Sequence, residues 1–354
     1  MKKLISLLLV LAMALTLVAC GGKTEAPAET QAAAEAPAEA PAEAPAAEVT
    51  TYDVGVAIYQ YNDNFMTLYR QEIEAYFKTL ETDTVKYNIS MVDGKNDMGE
   101  QTAQIDTFIA QGMDVIILNL VQTSSAEVLI DKVVAADIPL ILINREPLGD
   151  NGDESYEGII NNPTVCYVGA DARQSGTYQG EIVLALDDKG DINGNGKVDY
   201  VMIVGDPENP DAQYRTEFSV KALTDAGVEV NKLVEQVGNW DQTKGQEIAA
   251  NALAQYGDEI DVIFCNNDGM ALGAAAAIEA AGRVVGEDIY LLGVDALDEC
   301  QEMVQAGTMT GTVLNDHVGQ SHAAVDAAVA ALNGEALQNY YWVDYLKVDA
   351  SYFG

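Results

Sequence analysis

Basic residues are scarce in this 354-residue sequence: 18 lysines and arginines stand against 56 aspartates and glutamates, and the formal net charge is −38. Nucleic acids and anionic membrane surfaces attract proteins through clustered positive charge, so neither is an expected partner of this chain. The acidic excess predicts a well-solvated surface.

Cysteine and histidine are also rare, with four and two residues. The cysteines are Cys20, Cys166, Cys265 and Cys300. The last three cannot all pair, and two of them lie in apolar, strand-like runs, so buried free thiols are expected without a disulfide framework or a zinc site. His317 and His322 stand five apart on a predicted helix, a spacing that does not place two ligands on one face.

Catalytic motifs are absent as well. The sequence contains no G-x-S-x-G, no phosphate-binding glycine loop and no plausible nucleophile with a base beside it. An enzyme is therefore not expected, although a pair of carboxylates leaves a glycosidase open as an alternative.

The N-terminal stretch "MKKLISLLLVLAMALTLVAC" has two lysines before about 16 apolar residues, which is typical of a secretory signal. "LVAC" followed by "GGK" resembles a bacterial lipobox. Residues 1–20 are thus predicted to be a lipoprotein signal ending at Cys20, the lipidated residue. An uncleaved membrane anchor is the alternative, but the apolar stretch is short for a membrane span.

Residues 21–50 are built almost entirely from alanine, glutamate and proline. Such a composition has nothing to bury and predicts an extended, negatively charged tether. About 300 residues remain, more than a single domain usually holds, so two domains are expected.

The body of the chain alternates short apolar runs with amphipathic helical segments. In "NFMTLYRQEIEAYFKTL", Ile73, Phe77 and Leu80 recur at helical spacing, and Gly112 is a natural stop for the next helix. Continuous apolar strands separated by helices indicate parallel sheets covered on both faces. About ten such units are too many for one sheet, so the predicted fold class is α/β with two doubly wound parallel-sheet lobes.

Polar residues follow nearly every apolar run, at the point where ligands bind in open parallel sheets. They include Asp63, Asn119, Asn209, Asp211, Arg215, Asn267, Asp295 and Asn315, with Phe65 and Trp240 nearby. Each Asn or Asp alone is equally typical of a helix cap, and capping alone explains Asp268. Together, amides, carboxylates and one guanidinium suit a polyhydroxylated neutral ligand, with the two aromatic rings covering its faces.

The stretch "GDINGNGKVDYVMIVG", residues 190–205, begins like a calcium loop. Its residues Asp191, Asn193, Asn195, Gly196 and Asp199 fit the first nine places of an EF-hand loop. The twelfth place should be a bidentate Glu but is Met202, inside an apolar strand. A metal-free turn remains an alternative, whereas a dockerin-type module would need a second copy, which is absent.

Five segments, "AIYQYNDNFM", "GDPENPDAQYRT", "NNDGMALGA", "GVDAL" and "GTVLND", resemble in this order the periplasmic galactose/glucose-binding proteins of sugar ABC importers. The resemblance implies a type I periplasmic binding protein fold, in which two Rossmann-like lobes are joined by three hinge strands. The N-terminal lobe would span 51–141 plus 314–342, and the C-terminal lobe 142–313 plus 343–354. The hinges would lie near 138–145, 311–315 and 342–347.

The resemblance also implies roles for the polar residues after the strands. The residues that would bind sugar hydroxyls are Asp63, Asn119, Asp211, Arg215, Asn267, Asp295 and Asn315. Phe65 and Trp240 would stack on the two faces of the ring. Asn209 departs from the His that the family usually has, although its amide can still contact a sugar.

In the same family a distant carboxylate completes the calcium loop. The implied ligands of a structural Ca²⁺ are Asp191, Asn193, Asn195, the Lys197 carbonyl, Asp199 and Asp261. Asp261 replaces the usual Glu and is one methylene shorter, which strains bidentate closure.

The implied function is an exported substrate-binding lipoprotein, anchored to the outer face of the bacterial cell membrane and monomeric. It would capture D-galactose and/or D-glucose and deliver it to an ABC permease, with a chemoreceptor as a further partner. A receptor for another monosaccharide such as a pentose, or a purely sensory protein, are alternatives. A sugar-responsive repressor shares the fold, but it needs an N-terminal helix-turn-helix where this chain has the lipobox.

Overall fold

A computed structural model describes residues 48–147, 160 and 162–354. The predicted signal, the predicted lipidation site Cys20 and nearly all of the predicted tether lie outside these residues. The strands are β1 Thr50–Ile58, β2 Val85–Asp93, β3 Val115–Leu118, β4 Leu140–Ile143, β5 Val165–Gly169, β6 Val198–Val204, β7 Val230–Val237, β8 Val262–Cys265, β9 Tyr290–Leu292, β10 Thr312–Leu314, β11 Tyr340–Trp342 and β12 Leu346–Val348. The helices are α1 Asn64–Leu80, α2 Met98–Gln111, α3 Ala126–Ala135, α4 Ala172–Leu184, α5 Pro210–Asp225, α6 Gln242–Tyr256, α7 Asp268–Ala280, α8 Asp298–Ala306 and α9 His317–Leu332.

Two parallel sheets form the centres of two lobes. The first has the strand order β11-β5-β4-β3-β1-β2 and the second β7-β6-β8-β9. Strands β10 and β12 pair antiparallel with each other, and β10 also touches the segment around β9 through isolated bridges. The predicted α/β fold with two parallel-sheet lobes is therefore confirmed.

Local sequence signals set the helix ends. Asp63 and Asp97 accept hydrogen bonds from the first turns of α1 and α2, and Gly112 ends α2 in the left-handed conformation at φ 72°. Ile73 and Phe77 of the predicted apolar stripe are fully buried. These local features explain why the bounds of α1 coincide with the predicted helical segment.

Each sheet is covered on both faces because alternate strand residues point to opposite sides. In the first lobe, Ile117 packs with the α1 and α9 side and Ile116 with the α2 and α3 side. In the second lobe, Ile203 packs with α6, α7 and α8, whereas Met202 packs with α4 and α5. This layering leaves the strand ends as the free edge on which a site can form.

The predicted lobe boundary after residue 141 is wrong. Strand β5 pairs with β4 and with β11, so residues 165–169 belong to the first sheet, not to the second lobe. The chain first crosses between lobes at 169–172, where β5 ends and α4 begins packing against α5. The predicted hinge at 138–145 is therefore strand β4 and its end. The other two connections run from β10 to α9 and from β11 to β12.

The three cysteines among the described residues are free and buried, as expected. Burial raises the pKa of the Cys166 thiol to about 12, so this thiol stays protonated and unreactive. Over the described ranges, no helix has both the length and the apolar character that a membrane crossing requires.

Candidate functional site

A cavity lies between the lobes, where strands of both sheets end. Its first-lobe lining is Tyr59, Asp63, Phe65, Met66, Asn144 and Arg145. Its remaining lining is Asn209, Asp211, Arg215, Trp240, Asn267, Asp295 and Asn315. The structure thus brings together every residue of the predicted sugar site except Asn119.

Arg215 is the buried cation of the second-lobe wall. Its Nη2 donates to Asp211 Oδ2 at 3.1 Å and to the Tyr345 hydroxyl at 3.0 Å, and its Nη1 donates to the Asn266 carbonyl at 2.8 Å. Burial opposes its charge, but Tyr345, Asp211 and Asp295 outweigh burial and raise the pKa of Arg215. Burial also raises the pKa of Asp211 despite the attraction of Arg215. The two buried side chains are held by mutual charge compensation.

Three cavity residues are helix caps as well as lining residues. Asp63 accepts from Met66 N at 2.7 Å, and Asn209 accepts from Asp211 N at 3.0 Å. Asn267 accepts from the first turn of α7 at 2.9 Å. Capping and ligand binding are therefore compatible roles, because a cap uses one side-chain oxygen and leaves other donors and acceptors available.

Aromatic rings reach the cavity from both lobes. Phe65 is held edge-on by Tyr69, with ring centroids 5.8 Å apart. Trp240 stands in the left-handed region at φ 66°, and a Cβ on Gly205 would lie 2.2 Å from its ring. Glycine at 205 is thus required for the indole to lie where it does.

Asp295 and Asn315 join the second lobe to the interlobe segment. Asn315 Nδ2 donates to Asp295 Oδ1 at 3.2 Å, and Gln320 Nε2 donates to Asn315 Oδ1 at 2.6 Å. Burial holds the pKa of Asp295 well above its ordinary value, with the guanidinium of Arg215 opposing the shift. A ligand hydroxyl that donates to this carboxylate would stabilise its charged form.

Buried donors at the cavity lack partners among the described residues. They are the Nε atoms of Arg145 and Arg215 and the indole N–H of Trp240. An unpaired buried donor is costly, so these groups call for acceptors that a bound ligand can supply.

Asn119 does not line the cavity. Its Oδ1 accepts from Tyr59 N at 3.3 Å, and its Nδ2 donates to the Ile143 carbonyl at 3.1 Å and to Asn144 Oδ1 at 3.2 Å. The fully buried amide ties the end of β3 to the ends of β1 and β4. The structure therefore gives Asn119 a supporting role behind the lining and does not support direct contact with a ligand.

Tyr59, Met66, Asn144 and Arg145 line the cavity but were not predicted. The guanidinium of Arg145 lies 3.8 Å from the centroid of the Tyr59 ring, donates to the Val121 carbonyl and reaches Asp206 Oδ2 in the second lobe at 3.4 Å. Three of them, Tyr59, Asn144 and Arg145, could have been predicted from the sequence. They directly follow β1 and β4, just as the predicted residues follow other strands.

The predicted calcium loop and its distant carboxylate do meet. Asp261 accepts from Asn193 N at 3.0 Å and from Asp199 N at 2.8 Å, and Asp191 accepts from Asn195 N at 2.9 Å. Burial raises the pKa of Asp261 to about 6, against the two backbone donors. The Asp261 carboxylate thus lies against the loop.

The loop residues and Asp261 supply the oxygen ligands that calcium prefers, but the ammonium of Lys197 competes for one of these oxygens. Lys197 Nζ contacts Asp199 Oδ1 at 2.9 Å, and Asn195 Nδ2 donates to Asp199 Oδ2 at 2.7 Å. Burial disfavours the charge of Asp199, yet hydrogen bonds from Asn231, Asn195 and Lys197 leave its pKa lowered. Among the described residues, no three His, Cys, Asp or Glu side chains converge as a metal-binding group.

The chain belongs to the periplasmic binding protein family, because the family's periplasmic binding protein domain matches residues 54–336. The resemblance to periplasmic sugar-binding proteins is thereby confirmed, as is the prediction of a binding protein that is not an enzyme.

Two relatives and one solved structure show which binding proteins the chain is similar to. The D-galactose/methyl-galactoside binding periplasmic protein MglB of Haemophilus influenzae is 33% identical over 287 residues, which cover 80% of this chain and 82% of the relative. The putative rhizopine-binding protein of Rhizobium meliloti is 33% identical over 294 residues, covering 82% and 88%. An ABC transporter solute binding protein from Bacillus halodurans with bound myo-inositol superposes with a TM-score of 0.72 at 28% identity, covering 85% of this chain and 95% of the other. The type I periplasmic binding protein fold is confirmed.

Proposed function

We propose that this protein is the extracytoplasmic substrate-binding component of an ABC importer and that it captures D-galactose or D-glucose between its lobes. The observation that carries the proposal is the cavity itself, whose lining combines carboxylates, amides and two guanidinium groups with the aromatic rings of Phe65 and Trp240. Hydroxyls both donate and accept, so one sugar ring can satisfy carboxylate acceptors and the unpaired donors of Arg215 and Trp240 together.

Relatives support a sugar-like ligand without choosing one. MglB of Haemophilus influenzae is described as binding D-galactose and methyl-galactoside, and the Bacillus halodurans protein was solved with myo-inositol. A cyclic polyol is the second candidate, because the similar Bacillus halodurans protein was solved with bound myo-inositol. A pentose remains the third.

The test is a fluorescence and calorimetric titration with D-galactose, D-glucose, D-xylose, D-ribose and myo-inositol. The chain has two tryptophans, and Trp342 is 47% exposed outside the cavity lining. The variant Trp342→Phe therefore isolates the signal of Trp240. A saturable response to a hexose supports the proposal, a response to myo-inositol alone favours the polyol receptor, and no response to any of the five overturns both.

Transport follows from lobe closure on the ligand. A sugar that contacts both lobes stabilises the closed form, which then docks on a membrane permease. A chemoreceptor reading the same closed form is a further proposed partner, and the protein is proposed to act as a monomer.

The lipid anchor is proposed from the sequence alone. Lipid attached to Cys20 would hold the protein at the outer face of the membrane and raise its local concentration near the permease. Mass spectrometry of protein from bacterial membranes should show lipid on an N-terminal Cys20, and Cys20→Ser should release the protein to the medium. Equal membrane retention of this variant would contradict the anchor.

Structural calcium is likewise a proposal. The loop residues Asp191, Asn193, Asn195 and Asp199, the Lys197 carbonyl and Asp261 would hold the ion. It would tie the loop to the strand that follows Asp261 and stabilise the second lobe. Calcium is not proposed to touch the sugar, because none of these residues lines the cavity.

A further inference from the structure

Asp268 has a buried carboxylate that does not cap its own helix. The cap of α7 is the preceding Asn267, whereas Asp268 Oδ1 accepts from Thr312 Oγ1 at 2.7 Å and Oδ2 accepts from Leu297 N at 2.8 Å. Its own N–H donates to the Val294 carbonyl at 2.7 Å. The residue therefore bonds to both sides of the turn 294–297, in which the cavity residue Asp295 stands.

This turn is held in an unfavourable conformation. Asp295 has φ 123° and Ala296 has φ 52°, although neither is glycine. Such residues keep positive φ only when their surroundings enforce it. The bonds of Asp268 and the donation from Ala296 N to Thr312 Oγ1 at 3.3 Å hold this turn, together with the donations from Asp295 N to the Val313 carbonyl and from Gln301 Nε2 to the Ala296 carbonyl, each at 2.8 Å.

The space around Asp268 is shaped for a carboxylate. A Cβ on Gly293 would lie 2.1 Å from its Oδ1, so only glycine leaves room there. Both of its principal partners, Thr312 Oγ1 and Leu297 N, are donors, and a carboxylate accepts from both at once. An amide would turn its NH₂ group against one of them.

The charged and titratable groups facing Asp268 come from several elements. They are Asp295 after β9, Arg215 on α5, Cys265 at the end of β8 and Cys300 on α8. Burial raises the pKa of Asp268 to about 6, and its charge adds to the raised pKa of Asp295. A second carboxylate so near Asp295 is costly, which argues for a role beyond helix capping.

We propose that Asp268 is a positioning residue of the ligand site, which holds the turn carrying Asp295 and links it through Thr312 to β10 and the interlobe segment at Asn315. The inference rests on the proposed function, since it assigns Asp295 a ligand contact. Asp268 itself does not line the cavity.

The first test compares Asp268→Asn with the wild-type full chain by titration with D-galactose, D-glucose and myo-inositol. At pH 7.5 the Kd of the probe that binds should rise at least tenfold. Between pH 7.5 and pH 5 the Kd of the wild type should rise as Asp268 gains a proton. The rise in the Kd of the variant should be at least threefold smaller. Asp97→Asn, which removes one negative charge at the exposed start of α2, is the control for the loss of a carboxylate charge. An unchanged Kd with an unchanged pH profile overturns the proposal.

A second pair of variants covers the case in which Asp268→Asn fails to fold. Thr312→Val removes the hydroxyl at nearly constant shape, and Thr312→Ser keeps it. We expect a tenfold loss of affinity in the valine variant and less than a threefold loss in the serine variant. Equal affinities of Thr312→Val and Thr312→Ser would overturn the proposed link from Asp268 through Thr312 to β10.

A third readout needs no ligand and separates the inference from the proposed function. In ¹³C-labelled protein, the carboxyl resonance of Asp295, assigned with Asp295→Asn, should titrate at lower pH in Asp268→Asn, because a neighbouring negative charge is gone. An unchanged titration overturns the inference even if the wild type binds a sugar. If the wild type binds none of the probes but this shift appears, the proposed ligands are wrong, whereas the interaction between Asp268 and Asp295 is supported.

Discussion

At the scale of single residues, Arg215 organises the second-lobe wall of the cavity. It links Asp211, Tyr345 and the Asn266 carbonyl while keeping one donor unpaired at the cavity. Its planar fork satisfies several acceptors at once, which a lysine ammonium cannot reproduce in the same geometry.

We expect Arg215→Ala to lower ligand affinity at least a hundredfold and to destabilise the protein by about 3–5 kcal/mol, because Asp211 is left as an uncompensated buried charge. Calorimetry with the bound sugar and chemical denaturation measure the two effects. Lys221→Ala on the same helix, where Lys221 forms only an exposed pair with Asp225, is the control. Near-normal affinity of Arg215→Ala would reject the assigned role.

Asn209 allows its two roles to be separated. Its oxygen caps α5, and its remaining amide donor lies at the cavity. Asn209→Ser keeps a capping oxygen and should leave the free energy of unfolding nearly unchanged, whereas Asn209→Ala should cost about 1 kcal/mol. Both should weaken sugar binding, since both lose the amide. A serine variant with wild-type affinity would show that Asn209 is a cap only.

At the scale of elements, the helices and their caps were predictable because their signals are local. The stripe of Ile73 and Phe77 and the stop at Gly112 are read from neighbouring residues, and the structure follows them. The membership of β5 in the first sheet was not predictable in this way. The run "VCYVG" is apolar throughout, and its sheet is set by pairing with β4 and the distant β11.

The same distinction applies to the site. The rule that polar residues collect at strand ends placed Asp63, Asp295 and Asn315 correctly at the cavity. It could not show that the Asn119 amide is consumed by neighbouring strands, because that depends on which way the side chain turns. Arg145 also follows a strand end, but whether its long side chain turns into the cavity depends on packing against Tyr59 and the Val121 carbonyl, which the sequence does not show.

The loop at 190–199 gives a prediction for calcium. The ammonium of Lys197 holds an oxygen of Asp199 that the ion would need. Lys197→Met should therefore bind Ca²⁺ more tightly than the wild type, and free calcium at a hundred times its Kd should stabilise the folded state by about 2.7 kcal/mol. Thermal unfolding with calcium and with EGTA measures this.

Lys232→Met, on the neighbouring strand β7 where Lys232 pairs with exposed Glu235, controls for the loss of a positive charge. Identical unfolding curves with calcium and with EGTA, in wild type and Lys197→Met alike, would count against a calcium site. Loss of sugar binding in EGTA would contradict the separation between the loop and the cavity.

At the scale of the whole molecule, the lobes contact each other beside the cavity as well as through the connecting segments. Arg145 of the first lobe reaches Asp206 of the second at 3.4 Å, and Thr123 Oγ1 donates to the Glu208 carbonyl at 3.4 Å. These contacts can form only when the lobes are close. The Arg145–Asp206 pair thus favours the closed form, and its arginine is 1% exposed, so salt screens it less than a surface pair.

Asp206→Asn should therefore shift the protein toward the open form without removing a lining residue of the cavity. We expect the ligand to dissociate three- to tenfold faster in stopped-flow measurements. The association rate should change less, because the Arg145–Asp206 pair forms only after the ligand has entered and the lobes have closed. Glu208→Gln is the matched control, since Glu208 meets Thr123 of the first lobe through its backbone carbonyl, which the substitution keeps. X-ray scattering should show the wild type contracting when the sugar binds. The same compactness with and without sugar would rule out closure, and equal dissociation rates in Asp206→Asn and Glu208→Gln would leave the ion pair without a role in it.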